Sequence, residues 1–291
     1  MVSVITINYN GWQDTCEMIA SFKQFETFPY EIIVVDNAST GNDKECIAAL
    51  YPEVTIVSSE KNLGFAGGNN LGYKIAKGEY IFFLNNDTVI KYPVLKVLVE
   101  RFIDSNIGGV SPMIKCYYPP HNVQYYGCQK MTHLTLKHAT PAYDASSPEK
   151  YLINREVEVM HGAAMMVPRK VIEDVGTMIE CYFLYYEEFD WSYRILEHGY
   201  KIWYEPAALI YHKEGTKLGK ELTPFREYYL VRGRILFARR NLEYLDRWLS
   251  CFYLLGVVMI RNLMKNLIQR RWKSVEAVLK GSFDGLFQCK Y

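Results

Sequence analysis

Three short apolar runs in this chain end in amides or carboxylates. Residues 2–7 lead to Asn8-Tyr9, residues 31–35 to Asp36-Asn37, and residues 80–84 to Asn85-Asn86-Asp87. Such side chains hydrogen-bond ligands and, when ionised, hold cations or accept protons. A second acidic group, Glu187-Glu188-x-Asp190, stands later in the chain, and His212 ends another β-like stretch. Imidazole ligates metals or moves protons, although a lone histidine is more often structural. Asn62 to Asn69 is glycine-rich ahead of a helical segment and includes Gly67 and Gly68. Backbone there can approach a phosphate closely. It lacks the G-x-G-x-x-G spacing and follows the third strand, not the first, so dinucleotide binding is disfavoured.

Plainer readings stand beside these. An Asn-Asn-Asp turn after a strand can be only a polar turn. Asp36-Asn37 can cap the next helix. Asp190 precedes Arg194 by one helical turn, the spacing of an intrahelical ion pair.

The elements that must position these residues follow from hydrophobic patterning. Residues 2–7, 31–35, 54–57 and 80–84 are continuous apolar runs, as expected of strands buried on both faces. Residues 14–25, 43–50 and 69–76 between them have helical character. The alternation predicts an α/β fold, with a mostly parallel central sheet flanked by helices on both faces. In such sheets ligands bind beyond the carboxyl ends of the strands, which is where the amides and carboxylates gather. Residues 1–90 therefore read as a nucleotide-binding half.

Downstream, residues 93–104 look helical and 109–114 strand-like, followed by an irregular stretch over 115–155. Pro168 opens a short helix that Gly176 ends, and residues 187–198 form a helix closed by Gly199. Strand character returns at 201–204 and 209–212. From Phe225 to Leu249 apolar residues recur at steps of three and four, predicting one long helix. The run 248–260 that follows is 13 residues, too short for a bilayer, which needs about 20.

Composition narrows the function classes. Among 291 residues, 49% are apolar and 22% charged, which excludes disordered and collagen-like chains. Aromatic residues reach 15%, with 24 Tyr, and stacking on planar or sugar rings is one use for them. The net charge of +1 gives no global field to attract nucleic acid. Charge is nonetheless uneven: residues 226–273 hold 11 basic and 3 acidic side chains. Seven cysteines without a C-x-x-C pair fit neither a disulfide framework nor a zinc cluster, so a reducing, cytoplasmic setting is expected. No basic segment or cleavage site precedes the first strand, so no secretory leader is expected.

Seven blocks then stand in order: VSVITINYNG (2–11), IIVVDNAST (32–40), NLGFAGGNN (62–70), FLNNDT (83–88), GAAMMVPR (162–169), FLYYEEFDWSYR (183–194) and IYHKEG (210–215). Together they resemble the inverting nucleotide-sugar glycosyltransferases of the GT-A type, in the family 2 group that includes rhamnosyl- and galactofuranosyltransferases. The resemblance covers roughly residues 2–215, and YYLVRGRIL (228–236) is similar to the tail such enzymes often carry. It implies a transferase domain over 1–215, with nucleotide-binding and acceptor halves at 1–90 and 91–215, and a basic, amphipathic helical extension over 216–291.

By the same resemblance, Asp87 and His212 hold a divalent cation, Mn2+ or Mg2+, at the diphosphate of a UDP- or dTDP-sugar, rhamnose being one candidate. Asn85 replaces the first acid of the Asp-x-Asp signature, which implies a weaker grip on the metal. Asp36 reads the nucleobase, with Asn8 and Tyr9 closing the pocket, while Asn62, Gly67, Asn85 and Asn86 contact the donor. Glu188 takes the proton from an acceptor hydroxyl on a glycan or lipid-linked glycan, supported by Glu187 and Asp190. His161 beside Gly162 is a weaker candidate for the acceptor cleft. Polysaccharide biosynthesis at the cell envelope follows as the expected setting.

The basic tail reads as an element for the inner membrane surface, or as a helix packed on the core or a second subunit. Two other readings share the fold. A sugar-1-phosphate nucleotidyltransferase would carry a glycine-rich loop with Arg after the first strand, and Asn8-Tyr9-Asn10-Gly11 is not that. A catalytically inactive scaffold would have no need of Asp87, Glu188 and His212.

Overall fold

The computed structural model of the protein describes residues 1–127, 131–132, 134–136, 148–213 and 222–288. Cys128, His133, His138, Pro141, Cys289 and the last two residues of block 210–215 lie outside them.

The N-terminal alternation appears as expected. Strand β1 (Val2–Asn8) leads to α1 (Trp12–Phe25), β2 (Tyr30–Asp36), α2 (Asp43–Leu50), β3 (Thr55–Ser58), α3 (Gly64–Tyr73) and β4 (Tyr80–Leu84). β1 lies between β2 and β4, with β3 outside β2, and all three pairings are parallel. Asn8 is in register with Asp36 and Asp36 with Ser58, so their side chains share one edge. Val4, Ile5, Ile33, Val34, Ile81 and Phe82 are fully buried, which explains runs without polar alternation.

The second half departs from a parallel sheet. After β5 (Thr88–Val89) and α4 (Leu95–Glu100) come β6 (Ile107–Cys116), β7 (Val123–Tyr125), β8 (Arg155–Val157) and β9 (Ala164–Pro168). α5 (Arg169–Val175), α6 (Glu187–Glu197) and β10 (Lys201–His212) follow. The strands form one sheet in the order β3-β2-β1-β4-β9-β6-β10-β5, with β7 on β6 and β8 on β10. β9 runs antiparallel to β4 and β6, and β5 antiparallel to β10, so the sheet is mixed. The two strand pieces expected at 201–204 and 209–212 are one strand, whose pairing with β6 shifts between Glu205 and Leu209.

Two helix boundaries also differ. α3 begins at Gly64, so Gly67 and Gly68 lie inside the helix and not ahead of it. A Cβ on Gly68 would meet Ile7 Cδ1 at 2.8 Å and one on Gly72 would meet Ile5 Cγ2 at 2.5 Å. The glycines let α3 lie close on β1, a packing use that outweighs their poor helix propensity.

The single long tail helix is broken. α7 (Pro224–Asn241) stops where Leu242 turns to extended backbone. α8 (Tyr244–Tyr253), a π-helical turn (Leu254–Met259) and α9 (Ile260–Ile268) then run on as one helix, before α10 (Trp272–Phe287) returns along α7. Tyr244–Ile268 spans 25 residues and contains an 18-residue stretch of mean hydropathy 1.4, long and apolar enough to cross a membrane by length and composition. The 13-residue run (248–260) was thus only the apolar part of a longer helix.

Candidate active site

Asp87 follows β4, and His212 ends β10. They meet because β5 pairs antiparallel with the end of β10, placing Thr88 opposite His212. His212 Nε2 lies 3.1 Å from Asp87 Oδ1, and the Lys213 amide donates to the Asp87 carbonyl at 2.9 Å. The other ring nitrogen, Nδ1, is 2.9 Å from Gln124 Oε1 on β7, an acceptor. A proton on Nδ1 satisfies Gln124 and turns the Nε2 lone pair toward a carboxylate. Two acceptors then face each other, an arrangement a cation relieves. The donor set of one imidazole and one carboxylate fits a divalent ion whose remaining positions are filled by phosphate oxygens. Among the described residues no group of three or more His, Cys, Asp or Glu forms a complete protein-only cage. Asn85 Nδ2 approaches the same ring at 3.5 Å. Asn86 instead points back to α1, donating to Thr15 Oγ1 at 3.0 Å.

The β2 edge is a buried hydrogen-bond network. Asn8 is fully buried and donates to Asp36 Oδ1 (3.2 Å), Ser39 Oγ (3.0 Å) and Asp43 Oδ2 (3.1 Å), while its own oxygen accepts from Thr15 (2.8 Å). Both N–H groups of its side-chain amide are engaged inside the protein. Asn8 thereby positions Asp36, beside the ligand contact that the family resemblance implies for it. Tyr9 next to it is half-exposed and open to a ligand.

The Asn62 side-chain oxygen is likewise used in structure. Its oxygen accepts from the Gly64 amide at 2.8 Å and from Asn37 Nδ2 at 3.1 Å, tying the end of β2 to the start of α3. Gly67 is buried, and a Cβ there would lie 2.8 Å from Leu63 Cβ. Its expected contact with the donor gives way to tight packing of the first helical turn.

The acidic cluster opens α6 after an unusual backbone stretch. Phe183, Tyr185 and Tyr186 all have positive φ, at 65°, 64° and 74°, a conformation that L-residues adopt at a cost. The surroundings hold it in place. Phe183 O accepts from the Phe65 amide at 2.7 Å, and Gly64 (φ 71°) must lack a Cβ because one would sit 2.2 Å from that oxygen. From α7, Arg232 donates to the carbonyls of Tyr182 (3.0 Å) and Cys181 (2.6 Å), and Arg234 Nε donates to Tyr186 Oη at 2.8 Å. The tail therefore forms part of the site's support.

The three acids have different environments. Glu188 is pushed up to about 7 by burial. Glu187 is held well above the usual carboxylate range by burial and by the charge of Glu188, and its Oε2 has no hydrogen-bond partner. Of the adjacent pair, Glu188 is the one that ionises near neutrality. Asp190 is fully buried and bonded to Tyr182 Oη (3.0 Å), Arg194 Nε (2.9 Å), Arg240 Nε (3.3 Å) and Asn241 Nδ2 (2.9 Å). The i, i+4 ion pair that the sequence offered as the plain reading is present, and α7 adds to it. Asp190 anchors the tail, in place of the catalytic part expected of it.

Glu188 and the Asp87–His212 pair share one region. The turn 161–163 before β9 lies between them: Asn85 N donates to Ala163 O at 3.0 Å, and a Cβ on Gly162 would be 3.9 Å from the Glu188 carboxyl carbon. The His161 ring lies 6.4 Å from that of His212 and lines a 310 Å³ cavity with Glu188, Gln124, Arg226 and Arg234. Burial and the nearby His212 lower His161 to about 3, and its Nδ1 accepts from the Ala163 amide at 3.1 Å. The ring is neutral, with Nε2 as its N–H donor. Gln124, Arg226 and Arg234 were not singled out from the sequence. Only the motif-like YYLVRGRIL segment signalled Arg234, and nothing local signalled Gln124.

Known proteins resemble this chain in sequence and in fold. The dTDP-rhamnosyl transferase RfbF of Shigella flexneri is 28% identical over 269 residues, covering 86% of this chain and 85% of the relative. The N-acetylglucosaminyl-diphospho-decaprenol L-rhamnosyltransferase of Mycobacterium tuberculosis is 22% identical over 308 residues, covering 95% and 98%. Among solved structures, GalNAc-T7 with UDP, GalNAc and Mn2+ superposes with a TM-score of 0.65 at 17% identity, over 82% of this chain and 50% of that one. The last likeness is one of fold. Residues 3–176 match the profile described as glycosyl transferase family 2, more than half of the chain, and with the GT-A-like fold this places the protein in that family as a glycosyltransferase.

Proposed function

We propose that the protein transfers a single sugar, with inversion, from a nucleoside diphosphate sugar to a hydroxyl of a glycan or lipid-linked glycan. The observation that carries this reading is the proximity, through the 161–163 turn, of an ionisable Glu188 and the Asp87–His212 pair. Rhamnosyl transfer by two relatives of nearly full coverage makes a dTDP-sugar the first donor to try, and a UDP-sugar the second.

In this mechanism Asp36, held by Asn8, accepts from the nucleobase ring N–H at the β2 edge. Asp87 and His212 would hold Mn2+ or Mg2+ together with the donor's phosphates, and the ion would neutralise charge on the departing nucleoside diphosphate. Glu188 accepts the proton of the acceptor hydroxyl as its oxygen attacks the anomeric carbon opposite the leaving group. Its raised affinity for protons suits a base working near neutral pH. Glu187, protonated and buried beside it, keeps a second negative charge out of the site. The working unit in this reading is residues 1–215, supported by the helices of 216–291.

Calorimetric melting against UDP, dTDP and GDP, each with and without Mn2+, tests the donor side, since a ligand bound only by the folded state raises the melting temperature. One nucleotide should raise it, and more so with Mn2+. Glu188→Gln should keep that shift while losing turnover. An inactive scaffold would be indifferent to the substitution, and that result would overturn the proposal.

A further inference from the structure

The cavity that contains Glu188 does not end there. Tyr186, Leu230 and Arg234 line it and also line a second 310 Å³ cavity, between α7 and the α8–α9 helix. The walls of the second cavity combine hydrocarbon with positive charge. Val231, Ile235, Leu254 and Val258 supply the apolar part, and Arg234, Arg261 and Lys265 the cationic part. Glu227, the one acid in the lining, receives Asn266 Nδ2 at 3.2 Å and lies 3.7 Å from Arg271. In the first cavity, the Nε of Arg226 is buried with no hydrogen-bond partner. A buried guanidinium N–H left unmatched is costly, and an anionic oxygen would satisfy it.

The outer side of the α8–α9 helix and of α10 departs from the usual pattern of a soluble protein. Large apolar residues are exposed: Trp248, Phe252, Ile260, Met264, Trp272 and Phe283. Alongside Cys251, Leu254, Val258 and Val278, small or polar residues face inward: Ser250, Asn266, Ser274, Gly281, Ser282 and Gly285. Close backbone contact through small residues, with hydrocarbon turned outward, is how helices pack when their surroundings are apolar. Along α9 the cavity-lining Arg261 and Lys265 alternate with exposed Ile260, Met264 and Leu267, so the cavity borders this apolar face. Basic side chains beside exposed apolar ones match an amphiphile with an anionic head.

We propose that the cavity between α7 and the α8–α9 helix binds the acceptor's carrier, a hydrocarbon chain ending in a phosphate or diphosphate. Arg226 and Arg234 hold the phosphate within reach of the cavity where Glu188 receives the acceptor hydroxyl. The apolar walls take the first part of the hydrocarbon chain, and the rest of it leaves along the exposed face. This inference rests on Glu188 as the proton acceptor, and it adds a site for the part of the acceptor that does not react.

Farnesyl diphosphate is a soluble probe of that chemistry, compared with inorganic pyrophosphate and farnesol by titration calorimetry on the full chain. Saturating dTDP or UDP with Mn2+ occupies the donor site first and shows independently that the nucleotide reading holds. Farnesyl diphosphate should bind about tenfold or more tightly than either comparator, because only it meets both walls. Arg261→Glu with Lys265→Glu, both on exposed positions, should weaken it about tenfold, and Met259→Trp should do so by filling the cavity. Nucleotide affinity should stay unchanged in all these variants.

Equal binding of pyrophosphate would reduce the site to one for free phosphate and overturn the proposal. Equal binding of farnesol, indifference to the variants, or displacement of the probe by nucleotide would do the same. A change in molecular mass of the Arg261→Glu, Lys265→Glu variant in sedimentation would assign the face to a second copy of the chain instead. Absence of nucleotide binding with the probe still bound would overturn the transferase reading and leave this site standing.

Discussion

His212 Nε2 stands 3.1 Å from Asp87 Oδ1, with the opposite ring nitrogen engaged by Gln124 at 2.9 Å. The pair is built by two strands far apart in sequence, and Gln124 fixes which nitrogen faces the acid. Asp87→Ala or His212→Ala should abolish the extra Mn2+-dependent rise in melting temperature with nucleotide, while the unliganded melt remains cooperative. Gln124→Ala should weaken Mn2+ binding about tenfold, as loss of an orienting partner does. Titration calorimetry with Mn2+ and nucleotide reads both effects. A chelator-insensitive Asp87→Ala enzyme would remove the metal from the mechanism.

Glu188→Gln should lower turnover by about two to four orders of magnitude with little change in nucleotide affinity. The wild-type rate should rise with pH through about 7, because the base works only when ionised and burial has raised its proton affinity to that point. The same shift gives a stability effect of opposite slope. Between the ordinary carboxylate range and about 7 the folded protein keeps a proton that the unfolded chain has released, so stability falls as pH rises across that window. Melting of wild type and Glu188→Gln at pH 5 and pH 8 should therefore show a larger pH-dependent loss in the wild type.

Asp190→Ala should be costly for the fold and not for proton transfer. Removing it leaves Arg194 and Arg240 without their buried partner, a loss of about 3–5 kcal/mol. Urea unfolding measures this directly. Any folded fraction should retain nucleotide binding, since Asp190 faces Tyr182, α7 and Arg194.

Gly67→Ala separates packing from ligand contact. A Cβ 2.8 Å from Leu63 Cβ forces the first turn of α3 to shift, at about 1–3 kcal/mol. If the position only packs, stability falls and the nucleotide affinity of the folded protein is unchanged. A matching loss of affinity in titration would return Gly67 to the donor site.

Much of the protein could be read directly from its sequence. Apolar runs without alternation marked β1, β2 and β4, because strands covered on both faces have no solvent side to record. Their polar ends marked the ligand edge, since strand direction in parallel pairs brings carboxyl ends together. Residue type also flagged Asp36, Asp87, Glu188 and His212 as capable of the chemistry, and block order tied them to a family.

Which of the flagged residues are free to act was decided only by tertiary structure. Asn8 and Asp190 have the right atoms, but partners from other elements engage them, and partners distant in sequence leave no local trace. The antiparallel pairing of β9 with β4 and of β5 with β10 depends on which strands become neighbours, which strand composition does not encode. The glycines of 64–72 read equally well as a phosphate loop or a closely packed helix, and only the distance to β1 separates the two. Periodicity showed that the tail was amphipathic. It could not show which face the core would cover, and on α10 it covers Ser274, Gly281, Ser282 and Gly285 and leaves Trp272, Phe283 and Phe287 exposed.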